Sequence, residues 1–137
     1  MSPLTNIFYL NINQIQPSQL YLSEKKIEQV LKSLRNSGFE NAEPLPVKQL
    51  NNDIIFTDGH TRAYILWLNG YNQIKVIWED EDLDWKLYEI CVEWCKQAGI
   101  RTIADLKEKI IDHESYKTMW IERCKKMEDN MYKSSKK

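Results

Sequence analysis

The sequence predicts an α+β fold: a small mixed sheet with helices packed on it, followed by an all-helical C-terminal extension. Three observations carry this expectation. Segments of strand and helix character follow one another in the order β-α-β-β-α-β between residues 6 and 80. Composition then shifts at the acidic run "EDEDLD" (Glu79 to Asp84), and everything after it has helical spacing. The chain has 137 residues, 42% of them hydrophobic, which suits one domain with a sizeable core. The organisation expected is a core over residues 1–80 and a helical extension over 81–137 packed on it as a single structural domain.

Each element has its own signal. "NIFYLNI" (Asn6 to Ile12) alternates and is rich in β-formers, so it reads as a strand. Pro17 marks "QPSQLYLS" (Gln16 to Ser23) as a loop, and Ser23 is placed to cap a helix. Ile27, Val30, Leu31 and Leu34 then share one helical face, and Gly38 ends the helix. "PLPVKQL" (Pro44 to Leu50) and "DIIFT" (Asp53 to Thr57) read as strands joined by Asn51-Asn52, a pair that tolerates positive φ and signals a hairpin. Thr61 to Asn69 reads as a short helix stopped by Gly70, and "QIKVIWE" (Gln73 to Glu79) as another strand. Asp84 caps a helix running to Ala98 and stopped by Gly99, and the Trp and Tyr rings of its "DWKLYEICVEWC" are expected to bury against the sheet. Thr102 caps the next, with Ile103, Leu106, Ile110 and Ile111 facing inward. The last helix carries Tyr116, Trp120, Cys124, Met127 and Met131 at helical spacing, a stripe that reads as core, and "KSSKK" is expected to be a frayed tail.

Charge and composition exclude several classes. Lys and Arg number 19 against 20 Asp and Glu, a net charge of -1, which argues against direct DNA binding through a broadly basic surface. A basic face clustered from Arg123, Lys125 and Lys126 would revive it. No segment combines a basic start with a long apolar run, so a soluble, cytoplasmic protein with no membrane association is expected. Cys91, Cys95 and Cys124 are an odd number and read as free thiols of a reducing compartment. Cys91 and Cys95 lack a second pair at zinc-binding spacing, and with only two histidines a His-rich metal site has little material.

The chemistry-bearing stretch is "FTDGHTRAYILWLNG" (Phe56 to Gly70). Three anion-seeking side chains crowd the start of an apolar helix. A helix N-terminus presents unpaired N–H groups and partial positive charge, and phosphates bind there readily. Gly59 permits a tight turn and close approach of an anion. Thr61 can bond a phosphate oxygen or cap the helix, Arg62 can present a bidentate fork, and His60 can donate a hydrogen bond or a proton. The competing reading is a plain Asp58-Gly59 turn, a Thr61 cap and a surface charge at Arg62.

"DGHTRAYILWLNGYNQIKVIWE", preceded by the strand "DIIFT" and the helix "LSEKKIEQVLKSL", resembles the ParB/sulfiredoxin-like superfamily over about residues 6 to 80. Members carry Gly-x-x-Arg at the start of a helix and bind nucleotide phosphates there. Sulfiredoxins have Cys-His between the Gly and the Arg, whereas His60 and Thr61 stand here, so the reactive thiol is missing. Partition ParB proteins have Glu-Arg and bind CTP; this chain lacks both residues and a basic helix-turn-helix module. The free serine kinases have an Asp-Gly-His-His-Arg-like run, which Asp58, Gly59, His60 and Arg62 match and Thr61 does not. In those kinases a glutamate after the first strand is thought to activate the serine hydroxyl. The corresponding place here falls near Ser18-Gln19, where Gln19 cannot act as a base, and Glu24 is the nearest carboxylate.

The resemblance implies a nucleotide-binding protein that takes ATP, ADP or CTP with Mg²⁺, and a phosphotransferase acting on a small hydroxylated metabolite such as free serine. Gly59, His60, Thr61 and Arg62 would bind the nucleotide. Asp58, His60 and Glu24 are the candidate catalytic residues, and Asp58 the candidate metal ligand. Glu24 reads equally as an acidic residue of a helix first turn. A carboxylate of the Glu79–Asp82 run is a further Mg²⁺ candidate, against its reading as a solvated loop. The alternative function is a non-catalytic ParB-type nucleotide switch or DNA-partition module acting through partners. A phage-encoded or toxin-like nuclease is a third, without a metal-binding nuclease motif in its support.

Overall fold

The structure, a computed structural model, describes residues 6–135, with side chains as far as residue 132. It is an α+β fold built on a four-stranded mixed sheet of order β1-β5-β3-β4. β1 (Phe8–Asn11) pairs antiparallel with β5 (Gln73–Trp78), Phe8 opposite Val76. β5 runs parallel to β3 (Leu45–Leu50), Leu45 opposite Val76. β3 forms an antiparallel hairpin with β4 (Asp53–Phe56), Val47 opposite Phe56. The paired asparagines make its turn, Asn51 at φ 55°.

The sheet curls. The chain leaving β1 crosses to the far edge, where the Gln16 N–H donates to Ile54 O at 2.8 Å and the Phe56 N–H donates to Gln16 O at 3.1 Å. Gln16 is buried, and its side-chain amide donates to Ile100 O at 2.9 Å, tying this crossing to the C-terminal half. The segment from Gln16 to Ser23, expected as loop alone, ends in a two-residue strand, β2 (Leu22–Ser23).

α1 (Glu24–Ser37) starts where Ser23 predicts, the serine oxygen accepting from the Lys26 N–H at 3.3 Å, and stops at Gly38 with φ 91°. α2 (His60–Leu68) follows β4, and Gly70 leaves it at φ 86°. α3 (Trp85–Gln97) is capped by Asp84, which accepts from the Leu87 N–H at 3.4 Å.

Three expectations about the extension are corrected. The helix expected from Thr102 is a 3-10 segment (Ile103–Lys109) that ends in β6 (Ile110–Ile111). β6 lies parallel to β2, so backbone pairing outcompetes helix continuation there. The aromatic rings of α3 are half-buried at its margins: its fully buried positions are Cys91, Val92 and Cys95. The last helix is composite, with α4 (His113–Tyr116), a π-helical turn (Lys117–Ile121) and α5 (Glu122–Ser135). "KSSKK" is helical through Ser135, and residues 136–137 lie outside the described residues.

One apolar cluster runs through both halves of the sequence. Ile12, Val47, Phe56 and Ala63 share it with Cys95, Ile103 and Trp120, the last only 8% exposed. No helix among the described residues is long and apolar enough to cross a membrane.

Candidate functional site

The segment Thr57-Asp58-Gly59 turns the chain from β4 into α2, and neighbouring elements tie it down. The Thr57 hydroxyl donates to Glu79 Oε1 at 2.8 Å, beyond the end of β5. Its carbonyl accepts from the Tyr88 hydroxyl on α3 at 2.9 Å. The first carboxylate of the acidic run therefore supports this turn, while Asp80, Glu81 and Asp82 are exposed.

Gly59 is required twice over. It sits at φ 80°, a conformation other residues adopt with strain, and a Cβ there would lie 2.4 Å from Leu45 Cδ2. Gly59, not Thr61, is the N-cap of α2, and no side chain caps this end. Thr61 is the second helical residue, half-buried beside it. The first N–H groups of α2 thus lack the side-chain acceptor that Ser23 and Asp84 give α1 and α3.

Arg62 is half-buried in the first turn of α2. Its Nη2 reaches only Pro44 O, at 3.4 Å, and its Nε is buried with no hydrogen-bond partner. Burial lowers the guanidinium from its ordinary value, while the Asp58 and Glu43 carboxylates oppose that shift. A buried guanidinium N–H without an acceptor is uncommon, because leaving it unpaired costs about 1–3 kcal/mol or more.

His60 is 4% exposed and packs edge-on against Phe56. Its Nε2 accepts from the Ser18 N–H at 2.9 Å, so the proton of the neutral ring sits on Nδ1. Burial pushes its pKa down to about 4, with Asp58 pulling the other way. At neutral pH the ring is an uncharged strut between the 16–23 segment and α2, without a second proton to give. Ser18 completes the strut by donating its hydroxyl to Phe56 O at 2.8 Å.

These residues wall a groove of about 620 Å³ between α1 and the start of α2. Asp58, Gly59, His60, Thr61 and Arg62 line it together. Glu24 does not: it stands exposed in the first turn of α1, outside the groove wall. Asp58 is exposed, its Oδ1 accepting from the Gly59 N–H at 2.8 Å. No group of three or more His, Cys, Asp or Glu among the described residues could cage a metal ion.

Sequence reasoning did not place Lys26, Glu43, Tyr88 or Tyr116 near this turn. Lys26 and Tyr116 face each other across the groove wall, the ammonium 5.0 Å from the ring centroid. The Tyr116 hydroxyl accepts from Gln19 Nε2 at 3.0 Å. Both tyrosines read as core positions in their helices, and no spacing signal distinguishes a ring whose hydroxyl reaches a distant turn.

No protein-family model matches the chain, and no curated protein does. Among solved structures, a mutant free serine kinase in complex with ADP superposes with a TM-score of 0.49 at 20% identity, over 58% of this chain. The same kinase in complex with AMP gives the same values. The chain spans 33% of the length of those kinase chains. Protein Atu1540 from Agrobacterium tumefaciens superposes with a TM-score of 0.48 at 16% identity, over 73% of this chain and 60% of its own.

Proposed function

We propose that the groove binds the phosphates of a nucleotide and that the protein transfers a phosphoryl group from it to a small hydroxylated molecule. The observation that carries this reading is the unpaired, buried Nε of Arg62 beside a helix N-terminus that no side chain caps. A phosphate oxygen supplies what both lack: acceptors for the guanidinium and the first N–H groups of α2, with negative charge against the helix dipole. Gly59 keeps the approach open, Thr61 adds a hydroxyl, and Lys26 adds a second cation on the wall. A volume of about 620 Å³ suits a whole nucleotide. The resemblance of "DGHTR" and its flanking elements to the ParB/sulfiredoxin-like superfamily supports the same reading.

The transfer asks mainly for positioning and charge neutralisation. The acceptor oxygen forms a bond to the terminal phosphorus, and the bond from that phosphorus to the departing nucleotide oxygen breaks. Asp58 takes the hydroxyl proton. Arg62 and the α2 terminus hold the charge that develops on the phosphates. Neutral His60 fixes the turn on which Asp58 stands. Glu24, outside the groove wall, has no part in this scheme. Mg²⁺ fits as an ion carried by the phosphates: it commonly uses one or two protein carboxylates, and the groove offers Glu43 and Asp58. Bound there, it would neutralise phosphate charge.

Calorimetric titration with ATP, ADP and CTP, each with Mg²⁺, tests the binding claim. Arg62→Ala should lose roughly 1.5–3 kcal/mol of nucleotide affinity while melting near the parent temperature. Equal affinity in mutant and parent removes Arg62 from the site, and a large loss of stability makes it a structural residue instead. Nucleotide binding without a phosphorylated product from any hydroxylated acceptor would favour the non-catalytic switch.

A further inference from the structure

Behind the turn lies a second cavity, of about 250 Å³. Asp58 and His60 line both this cavity and the groove, so a single carboxylate borders the two. The remaining wall comes largely from the C-terminal helices: Tyr88 and Cys91 of α3, Trp120 of the π-helical turn, and Met127 of α5. Rings, a thioether and a thiol make most of that surface apolar and polarisable.

The charged groups in this wall have one sign. Among the described residues Asp58 and Glu128 are its only charged side chains, and no Lys or Arg lines it. Arg123 of α5 lies over the Trp94 ring at 4.0 Å; its charge reaches the Cys91 and Cys124 thiols of the wall, but it does not itself line the cavity. An acceptor bearing a carboxylate would meet two carboxylates and no described cation in the lining. A molecule bearing an ammonium would meet two counter-charges and the faces of Tyr88 and Trp120.

We propose that this cavity is the acceptor site and that its ligand is a small amino alcohol, a molecule with a cationic amine and a free hydroxyl and no carboxylate. This rests on the phosphotransfer reading and narrows its substrate class. The amine sits toward Glu128 and the rings, and the hydroxyl toward Asp58. The hydroxyl oxygen bonds to the phosphorus arriving from the groove, the nucleotide departs with the electrons of the broken P–O bond, and the hydroxyl proton passes to the Asp58 carboxylate. About 250 Å³ holds a molecule of a few heavy atoms, far short of a second nucleotide.

Calorimetric titration with 2-aminoethanol, its N-trimethyl form and free serine tests the assignment, with and without a non-hydrolysable ATP analogue and Mg²⁺. At least one of the two amino alcohols should bind about tenfold tighter than serine. Glu128→Gln changes an exposed residue and should weaken that binding about threefold to fivefold. Met127→Trp, which fills the cavity, should abolish it. Both variants should leave nucleotide affinity unchanged. Serine binding as well as either amino alcohol, no binding of any of the three, or amino-alcohol binding indifferent to both substitutions would overturn the assignment. Amino alcohol bound and sensitive to both substitutions, with no nucleotide bound under any condition, upholds the ligand of the cavity and defeats the phosphotransfer reading instead.

Discussion

Lowering the pH from 7 to 4 should destabilise the fold through one residue, His60. In the unfolded chain its imidazole titrates near the ordinary value of 6.5; in the folded protein burial holds it near 4. Between those values the unfolded state binds a proton that the native ring refuses, so stability rises with pH across the window. The contribution is fully present above about pH 6.5 and is lost as the pH falls toward 4. A window of about 2.5 pH units at about 1.4 kcal/mol each amounts to about 3.5 kcal/mol. Little of it is screened, because the ring is 4% exposed. The Asp105 and Asp112 carboxylates also lie below their ordinary range, the first because its burial is outweighed by the Arg101 and Thr102 N–H groups, the second through the Ser115 N–H and hydroxyl, and they add to the slope only at the acid end of this window. Urea unfolding at half-unit steps from pH 7 to 4 measures the slope. His60→Gln, which keeps an acceptor for the Ser18 N–H, should flatten it. A parent curve flat over that range, or a mutant curve as steep as the parent, would refute the picture of a neutral buried strut.

Two further substitutions bear on the fold around the site. Gly59→Ala should destabilise by more than about 1 kcal/mol, since it combines positive φ with a clash against Leu45; a thermal melt unchanged from the parent would mean the turn relaxes freely. Trp120→Ala empties a buried aromatic position and should lower stability by about 3–5 kcal/mol, and truncation before Asp112 should do more. Parent-like melting of the truncated protein would show that the last helices are dispensable.

Most of the fold was legible because its signals are local. Caps at Ser23 and Asp84, stops at Gly38 and Gly70 and the Asn51 turn depend on residues within a few positions of one another. The pairing of Leu22-Ser23 with Ile110-Ile111 was hidden for the opposite reason, since its partners lie some ninety residues apart and each is too short to show a period. The same holds at the site. "DGHTR" could be read as a helix start from its own letters, but of the two roles open to Thr61 the cap is excluded, because Gly59 caps the helix two residues sooner. The burial that neutralises His60 comes from packing against Phe56 and Ser18, and no property of "GHT" encodes it.

The division of the site between the two halves of the chain bears on its substrate. The groove is walled by Gln19, α1, the Asn41 to Glu43 segment that follows it, Asp58-Gly59 and the start of α2; among the described residues Tyr116 is the one contribution from beyond residue 80. The phosphate reading proposed for the groove rests on those residues. The second cavity cannot form from that part alone: Tyr88, Cys91, Trp120, Met127 and Glu128 all come from α3 and the last helices. The proposed acceptor therefore follows from this wall, which among the described residues has two carboxylates, two aromatic faces and no cation. Under the proposed reading a change of acceptor would fall mainly on α3 and the last helices, while the turn that carries Asp58 stays braced on one side by Glu79 and Tyr88 bonding Thr57 and on the other by Ser18 bonding His60.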